Sequence, residues 1–292
     1  MFKITCCTTV DMPLEFFEQR GIYTFMLKFL LNGQLYNDDC GQTVSHKAFY
    51  KAIAKGAMPT TSQLNPIDYY TGFEKLLQEG YDILHFSLSS GISGTYQSAM
   101  EAKKQLETKY PERKIVVIDS LSASSGSGLL LTIASDMQQN GESMEAIATW
   151  AEANKTNVNH LFFSTDLSHL KRGGRISPAA AAIAGILNIC PLLMVDIEGH
   201  LVPCEKIRGI KKCIKTTVQK MLQSAENGKD YNGYCYISHS NSLDIATELK
   251  QQILENFPNI KEIPLFPIGM VIGSHTGPGT VALYFMGKQR EK

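Results

Sequence analysis

The sequence predicts an α/β protein with two units: an N-terminal parallel sheet covered by helices, residues 1–160, and a C-terminal mixed α/β unit, residues 161–292. Three observations carry this expectation. Strand-like and helix-like runs alternate through the first half, and Lys114-Ile115-Val116-Val117-Ile118-Asp119 is apolar almost throughout, as in a parallel strand buried on both faces. Loops rich in serine and glycine follow two of these strands, where a parallel α/β sheet carries its binding loops. The alternation changes character near residue 161, and 292 residues exceed what one hydrophobic core usually serves.

Asn65-Pro66 supplies an N-cap and a first-turn proline. Ile67, Tyr70, Phe73, Leu76 and Leu77 then recur at helical spacing, and Gly80 ends the helix. Tyr81 to Leu88 is the next strand, and Ser89-Ser90-Gly91-Ile92-Ser93-Gly94-Thr95 turns it into a helix over Tyr96 to Tyr110. After the strand ending at Asp119, Ser120 to Gly128 is expected to be a second small-residue loop, followed by a helix over Leu129 to Gln139. Leu161 to Thr165 reads as a short strand and Leu170 to Ser177 as a basic glycine loop. Ser177-Pro178 then starts an alanine-rich helix, Ala179 to Ile189. Leu192 to Val195 and His200 to Cys204 form a hairpin across Asp196-Ile197-Glu198-Gly199. A helix from Gly209 to Ser224, a strand from Tyr234 to Ser238, a helix from Leu243 to Asn256 and a strand from Val281 to Met286 follow.

Composition excludes several classes. Twenty-eight basic residues offset twenty-eight acidic ones, so no net field draws nucleic acid or an anionic membrane. The seven cysteines and seven histidines show neither C-x-x-C nor paired Cys/His spacing. No metal or cofactor is therefore expected, and a reduced, cytoplasmic compartment is. Met1 to Cys7 reaches polar residues and Asp11 before an apolar signal segment can develop. The greasiest stretch, Ala179 to Val195, is interrupted by Asn188 and Pro191 and falls short of the ~20 residues of a spanning helix.

The chemistry gathers in four segments. The serine-glycine corner at 89–95 places backbone N–H groups at a helix N-terminus, which carries roughly half a positive charge and suits a phosphate or carboxylate. Ser93 reads equally as a plain helix cap. Pro59-Thr60-Thr61-Ser62-Gln63, Lys171-Arg172-Gly173-Gly174-Arg175-Ile176-Ser177 and Gly273-Ser274-His275-Thr276-Gly277-Pro278-Gly279-Thr280 are the other three. Taken singly, Thr61 fits a side-chain turn, Arg175 a solvated loop arginine and His275 a loop histidine. In this order and spacing the four segments resemble the DegV family of bacterial fatty-acid-binding proteins, over nearly the whole chain. Ile118-Asp119-Ser120 with Ala123, and Glu205-Lys206-Ile207-Arg208, add to the resemblance.

The resemblance implies a two-domain fold with one long-chain fatty acid in a buried tunnel near the domain junction. It implies no catalysis by this chain alone, but an acyl-binding subunit whose ATP-dependent kinase partner phosphorylates the carboxylate to an acyl-phosphate. Thr61 and Ser93 would hydrogen-bond the carboxylate, Ser62 and Gly94 would shape the pocket, and Arg175 and His275 would assist presentation or phosphoryl transfer. Arg208 is a candidate kinase contact. The helix Ala179 to Ile189 fits a tunnel wall, or ordinary close packing. Two departures from the family pattern stand out. Cys7-Thr8 replaces an aspartate-serine pair ahead of Asp11-Met12, and Leu64-Asn65-Pro66 replaces a proline-led segment.

Two other functions compete. A serine hydrolase would use Ser93 as nucleophile and His275 as base, although Gly91-Ile92-Ser93-Gly94-Thr95 is not G-x-S-x-G. A nucleotide-binding protein would account for the glycine loops, although no G-x-x-x-x-G-K-[ST] is present and Ser125-Gly126-Ser127-Gly128 completes no dinucleotide fingerprint.

Overall fold

A computed structural model describes residues 1–164, 166–177 and 189–291. Strands β1 (Phe2–Cys7), β2 (Tyr23–Phe25), β6 (Asp82–Ser87) and β7 (Ile115–Asp119) form a sheet in the order β2-β1-β6-β7, parallel throughout. A three-stranded antiparallel sheet, β4-β3-β5, is built from β3 (Lys28–Leu31), β4 (Gln34–Asn37) and β5 (Thr60–Ser62). The second half supplies a six-stranded mixed sheet from β8 (Val158–Ser164), β9 (Ile189–Val195), β10 (Leu201–Arg208), β11 (Cys235–His239), β12 (Leu265–Pro267) and β13 (Thr280–Met286). Its order is β10-β9-β8-β13-β11-β12, and only the β11–β12 pair is parallel. The expected α/β class, parallel in the N-terminal half and mixed in the C-terminal half, is what the chain adopts.

Helix α1 (Leu14–Arg20) follows β1, and α2 (His46–Ala54) packs on the small sheet. Helices α3 (Pro66–Gln78), α4 (Thr95–Lys109), α5 (Ser125–Gln139) and α6 (Met144–Asn154) accompany the parallel strands. A short α7 (Ser168–Arg172), then α8 (Ile210–Ser224), α9 (Leu243–Asn256) and a second short helix, α10 (Met270–Thr276), belong to the second half. The Asn65 cap closes a full capping box with Asp68. The Asn32-Gly33 turn between β3 and β4 has both residues at positive φ, the type I′ geometry that matches the twist of a hairpin.

Period-two alternation lets the central strands serve two layers at once. On β13, Val281, Leu283 and Phe285 join the core beneath α8 and α9, while Ala282 and Tyr284 face the other way into a core shared with β1, β6 and α5. On β8, Leu161 and Phe163 pair off in the same way against Phe162. That shared core ties the parallel sheet to the mixed one.

Three local expectations change. The serine-glycine run at 125–128 is the first turn of α5, not a loop. Its small residues permit close approach: a Cβ on Gly126 would overlap His160 Nε2, and one on Gly128 would lie 2.7 Å from Met12 Sδ. His169 to Arg172 belongs to α7, and the segment around His275 is helical up to Gly277, which takes φ +68°. The alanine-rich helix expected at 179–189 lies outside the described residues, apart from Ile189 in β9.

Gly126→Ala is expected to cost about 1–3 kcal/mol by overpacking against a histidine that cannot yield. Urea unfolding checks it, and an unchanged midpoint would show that α5 tolerates displacement from β8.

Candidate functional site

A cavity of about 420 Å³ lies among the serine-glycine corner, the loop at 120–124, α10 and one face of the six-stranded sheet. That volume falls within the usual range for small-molecule sites. Leu27, Leu88, Phe162, Leu201, Val271 and Ala282 form much of its wall. Polar side chains also line it, each tied to a partner: Ser124 donates to Asp11 Oδ2, Tyr284 and Ser238 hydroxyls pair at 2.8 Å, and His160 Nδ1 lies 3.0 Å from the Val158 carbonyl. Burial depresses the His160 pKa, so Nδ1 keeps its proton for that carbonyl and the ring is neutral.

Thr61, Ser62, Ser93, Arg175 and His275 line this one cavity, although they come from four separate segments. Thr61 sits on β5 opposite Phe29, and its Oγ1 lies 2.7 Å from Nε2 of His275 on α10. Burial first, then the Arg175 and Arg172 cations, push the His275 ring down to about 4, so it is neutral at physiological pH. With its proton on Nε2, the ring donates to Thr61 and frees the threonine hydroxyl to donate to a ligand.

Ser93 Oγ accepts from the Thr95 backbone N–H at 3.2 Å and pairs with Thr95 Oγ1 at 2.7 Å. It therefore does help start α4, while Gly94 is the N-cap residue itself. When Thr95 Oγ1 donates, the Ser93 hydrogen remains available to a carboxylate. Arg175 Nε donates to the Ile92 carbonyl at 3.2 Å and Nη1 donates to the Gly173 carbonyl, so the arginine joins the serine corner to the glycine loop.

Gly94 does not line the cavity. It stands at the rim, where its N–H donates to Gln63 Oε1 at 3.1 Å and a Cβ would lie 2.6 Å from the same oxygen. Gln63, which lines the cavity, is a rim residue that the sequence reading gave no role. The departures at Cys7-Thr8 and Leu64 fall behind the wall: Cys7 pairs with Tyr69 OH at 3.0 Å, the Thr8 hydroxyl accepts from Leu27 N–H, and Leu64 packs in the core. Arg208 is exposed at the end of β10, on the order of 20 Å along the strand from Leu201 at the cavity.

For a hydrolase, Ser93 and His275 would need to share a hydrogen bond. Each is paired elsewhere, and a ring with its pKa near 4 is a weak base at neutral pH.

The family model described as "Uncharacterised protein, DegV family" matches residues 1–288. The chain belongs to the DegV family. A DegV domain-containing protein of Clostridium perfringens is 37% identical over 290 residues, covering 99% of each chain. Among solved structures, a DegV family protein of Thermus thermophilus described by its fatty acid binding is 28% identical, with TM-score 0.87 over 98% of this chain and 99% of that one. DegV of Bacillus subtilis, a fatty acid binding protein, is 29% identical with TM-score 0.84, over 98% and 99% respectively.

The depressed His275 pKa carries a sign. Between about 4 and 6.5 the unfolded chain binds a proton at this position that the folded chain does not, so stability rises with pH across that window. His275→Gln is expected to remove this part of the acid sensitivity, and the ring's own NMR titration to show a midpoint near pH 4. A midpoint near 6.5 would contradict the burial argument.

Proposed function

We propose that this DegV protein binds a long-chain fatty acid in the 420 Å³ cavity and presents its carboxylate at Thr61, Ser93, Arg175 and His275 to an ATP-dependent kinase. The observation that carries this reading is the make-up of the cavity: a largely apolar wall, and one place where hydroxyls, a cation and a neutral histidine from four segments converge. The fatty-acid-binding relatives from Thermus thermophilus and Bacillus subtilis, each alike over nearly the full length, support it. We place the domain boundary at about residue 160, because the six-stranded sheet draws its strands from β8 onward.

Each buried methylene contributes about 0.8 kcal/mol, so a tail of roughly fourteen offers on the order of 11 kcal/mol before ordering costs. The tail supplies affinity. A carboxylate taken from water needs donors or it protonates, and the Thr61 and Ser93 hydroxyls meet that need with charge-assisted bonds. In the partner's reaction a carboxylate oxygen attacks the γ-phosphorus of ATP, the bond to the β,γ-bridging oxygen breaks, and ADP leaves. Neutral His275 holds Thr61 in place without adding a proton that would quench the nucleophile. The kinase would cover the mouth, with Arg208 a contact farther along its footprint.

Native mass spectrometry followed by organic extraction tests the binding step. A stoichiometric adduct that extracts as a fatty acid supports it, and a chain that arrives empty and refuses added fatty acid refutes it. Ser93→Ala is expected to weaken fatty-acid affinity about 10- to 100-fold, the value of a hydrogen bond to a charged group.

Arg175→Ala separates the two roles. The fatty acid should still bind, while kinase-dependent phosphorylation falls about tenfold or more. Loss of lipid binding with phosphorylation of the residual complex intact would reverse that assignment.

A further inference from the structure

The glycine loop holds a second arginine that the carboxylate site does not use. Arg172, the last residue of α7, is exposed and lies outside the cavity lining, yet it is held in place. Its Nη2 donates to His169 Nδ1 at 2.9 Å. The His169 ring is held in turn by packing: its edge fills the space beside Gly277, where a Cβ would lie 2.5 Å from His169 Cδ2. Burial and the neighbouring Arg172 cation depress the His169 pKa, which leaves a neutral ring able to accept at one nitrogen while donating at the other.

The next residue, Gly173, packs directly on His275 Nδ1, leaving no room for a Cβ, and the Arg172 charge is felt at the His275 ring. Among the described residues no carboxylate pairs with Arg172. An exposed arginine is ordinarily mobile and costs entropy to order. One braced by a histidine that is itself braced is preorganised for an anion.

The proposed reaction creates such an anion. Phosphorylation raises the head-group charge from one to about two negative units and moves it outward from the carboxylate. Arg175 has already committed Nε and Nη1 to the Ile92 and Gly173 carbonyls. We infer that Arg172, oriented by His169, is the phosphate-binding cation of the mouth and contacts the phosphoryl group once it is on the acyl chain. His169 is then a positioning residue. The inference rests on the fatty-acid reading above and extends it to the phosphorylated ligand.

The phosphate could instead be that of a nucleotide, so the test compares three probes on the full chain: palmitate, its β-ketophosphonate (a stable mimic of the acyl-phosphate) and ATP. In Arg172→Ala, β-ketophosphonate affinity is expected to fall about 10- to 100-fold, while palmitate affinity stays within about twofold. Arg172→Lys should recover part of the loss, as a point charge without the fork. His169→Leu should lose most of the phosphonate advantage with palmitate binding intact, which a merely destabilised fold would not do.

An unchanged ratio of phosphonate to palmitate affinity in Arg172→Ala overturns the proposal. So does a loss confined to ATP, which would assign the guanidinium to a nucleotide. If the wild-type chain binds neither palmitate nor the phosphonate, the carrier reading itself fails.

Discussion

The contact on which the site depends is the 2.7 Å bond between Thr61 Oγ1 and His275 Nε2, which joins residues 214 positions apart. Thr61 arrives on an edge strand of the small antiparallel sheet, and His275 on the last turn of a two-turn helix. Neither element is long enough to fix its own position. Thr61 is held by the pairing of β5 with β3, and the histidine helix by groups beside that sheet: Tyr50 on α2 donates to the Ile268 carbonyl at 2.9 Å and fills the space beside Gly273, and Asp38 accepts from Val271 N–H at 3.1 Å. The small sheet and α2 therefore support the threonine and brace the histidine helix together.

That brace places acidic groups in buried positions. Asp11 and Asp38 converge on Gly269, at the start of α10, and a Cβ there would lie 2.5 Å from Asp11 Oδ1 and 3.3 Å from Asp38 Oδ2. Burial raises both carboxyl pKa values, Asp38 to about 6. The folded chain thus holds a proton at Asp38 that the unfolded chain has released, and this contribution to stability is lost as pH rises from about 4 to 6. His275 acts in the opposite sense over most of the same window, because its folded form rejects the proton. The acid response of the fold is a difference between these groups, and the Ser124 hydroxyl that donates to Asp11 brings the cavity wall into the same network.

The alternating elements were legible because their signals are local. The Asn65 capping box, the buried 115–119 strand and the β9–β10 hairpin are each written within a few residues. Misread segments are those where one composition serves two purposes. Serine and glycine at 125–128 suit a loop, but they are small because α5 lies against His160 and Met12, residues remote in sequence. Gly273 and Gly277 make the His275 segment look irregular, whereas one admits Tyr50 and the other ends a helix beside His169. The small sheet went unread, although Asn32-Gly33 between short runs is a local hairpin signal. Strand order in the six-stranded sheet has no local signal, since β13 enters between β8 and β11 from the far end of the chain. The four site segments were found through their joint resemblance to a family, not through any property of one segment.

The two arginines show how a mouth can be both structural and reactive. A site that only stored a fatty acid would gain by burying the head completely, because each donor strengthens as water is excluded. Here Ser62 and Gln63 are exposed at the rim and Thr61, Ser93 and Arg175 remain half-buried, so a head group held by them, as proposed, would stay within reach of solvent. Arg175 ties two backbone segments together, so its charge is fixed beside Ser93 whether or not a ligand is bound. Arg172 is tied by one side chain and is exposed to solvent. The inner cation is fixed by main-chain carbonyls and suits a charge present from the start. The outer one, with donors to spare, suits the charge that the proposed phosphorylation would add.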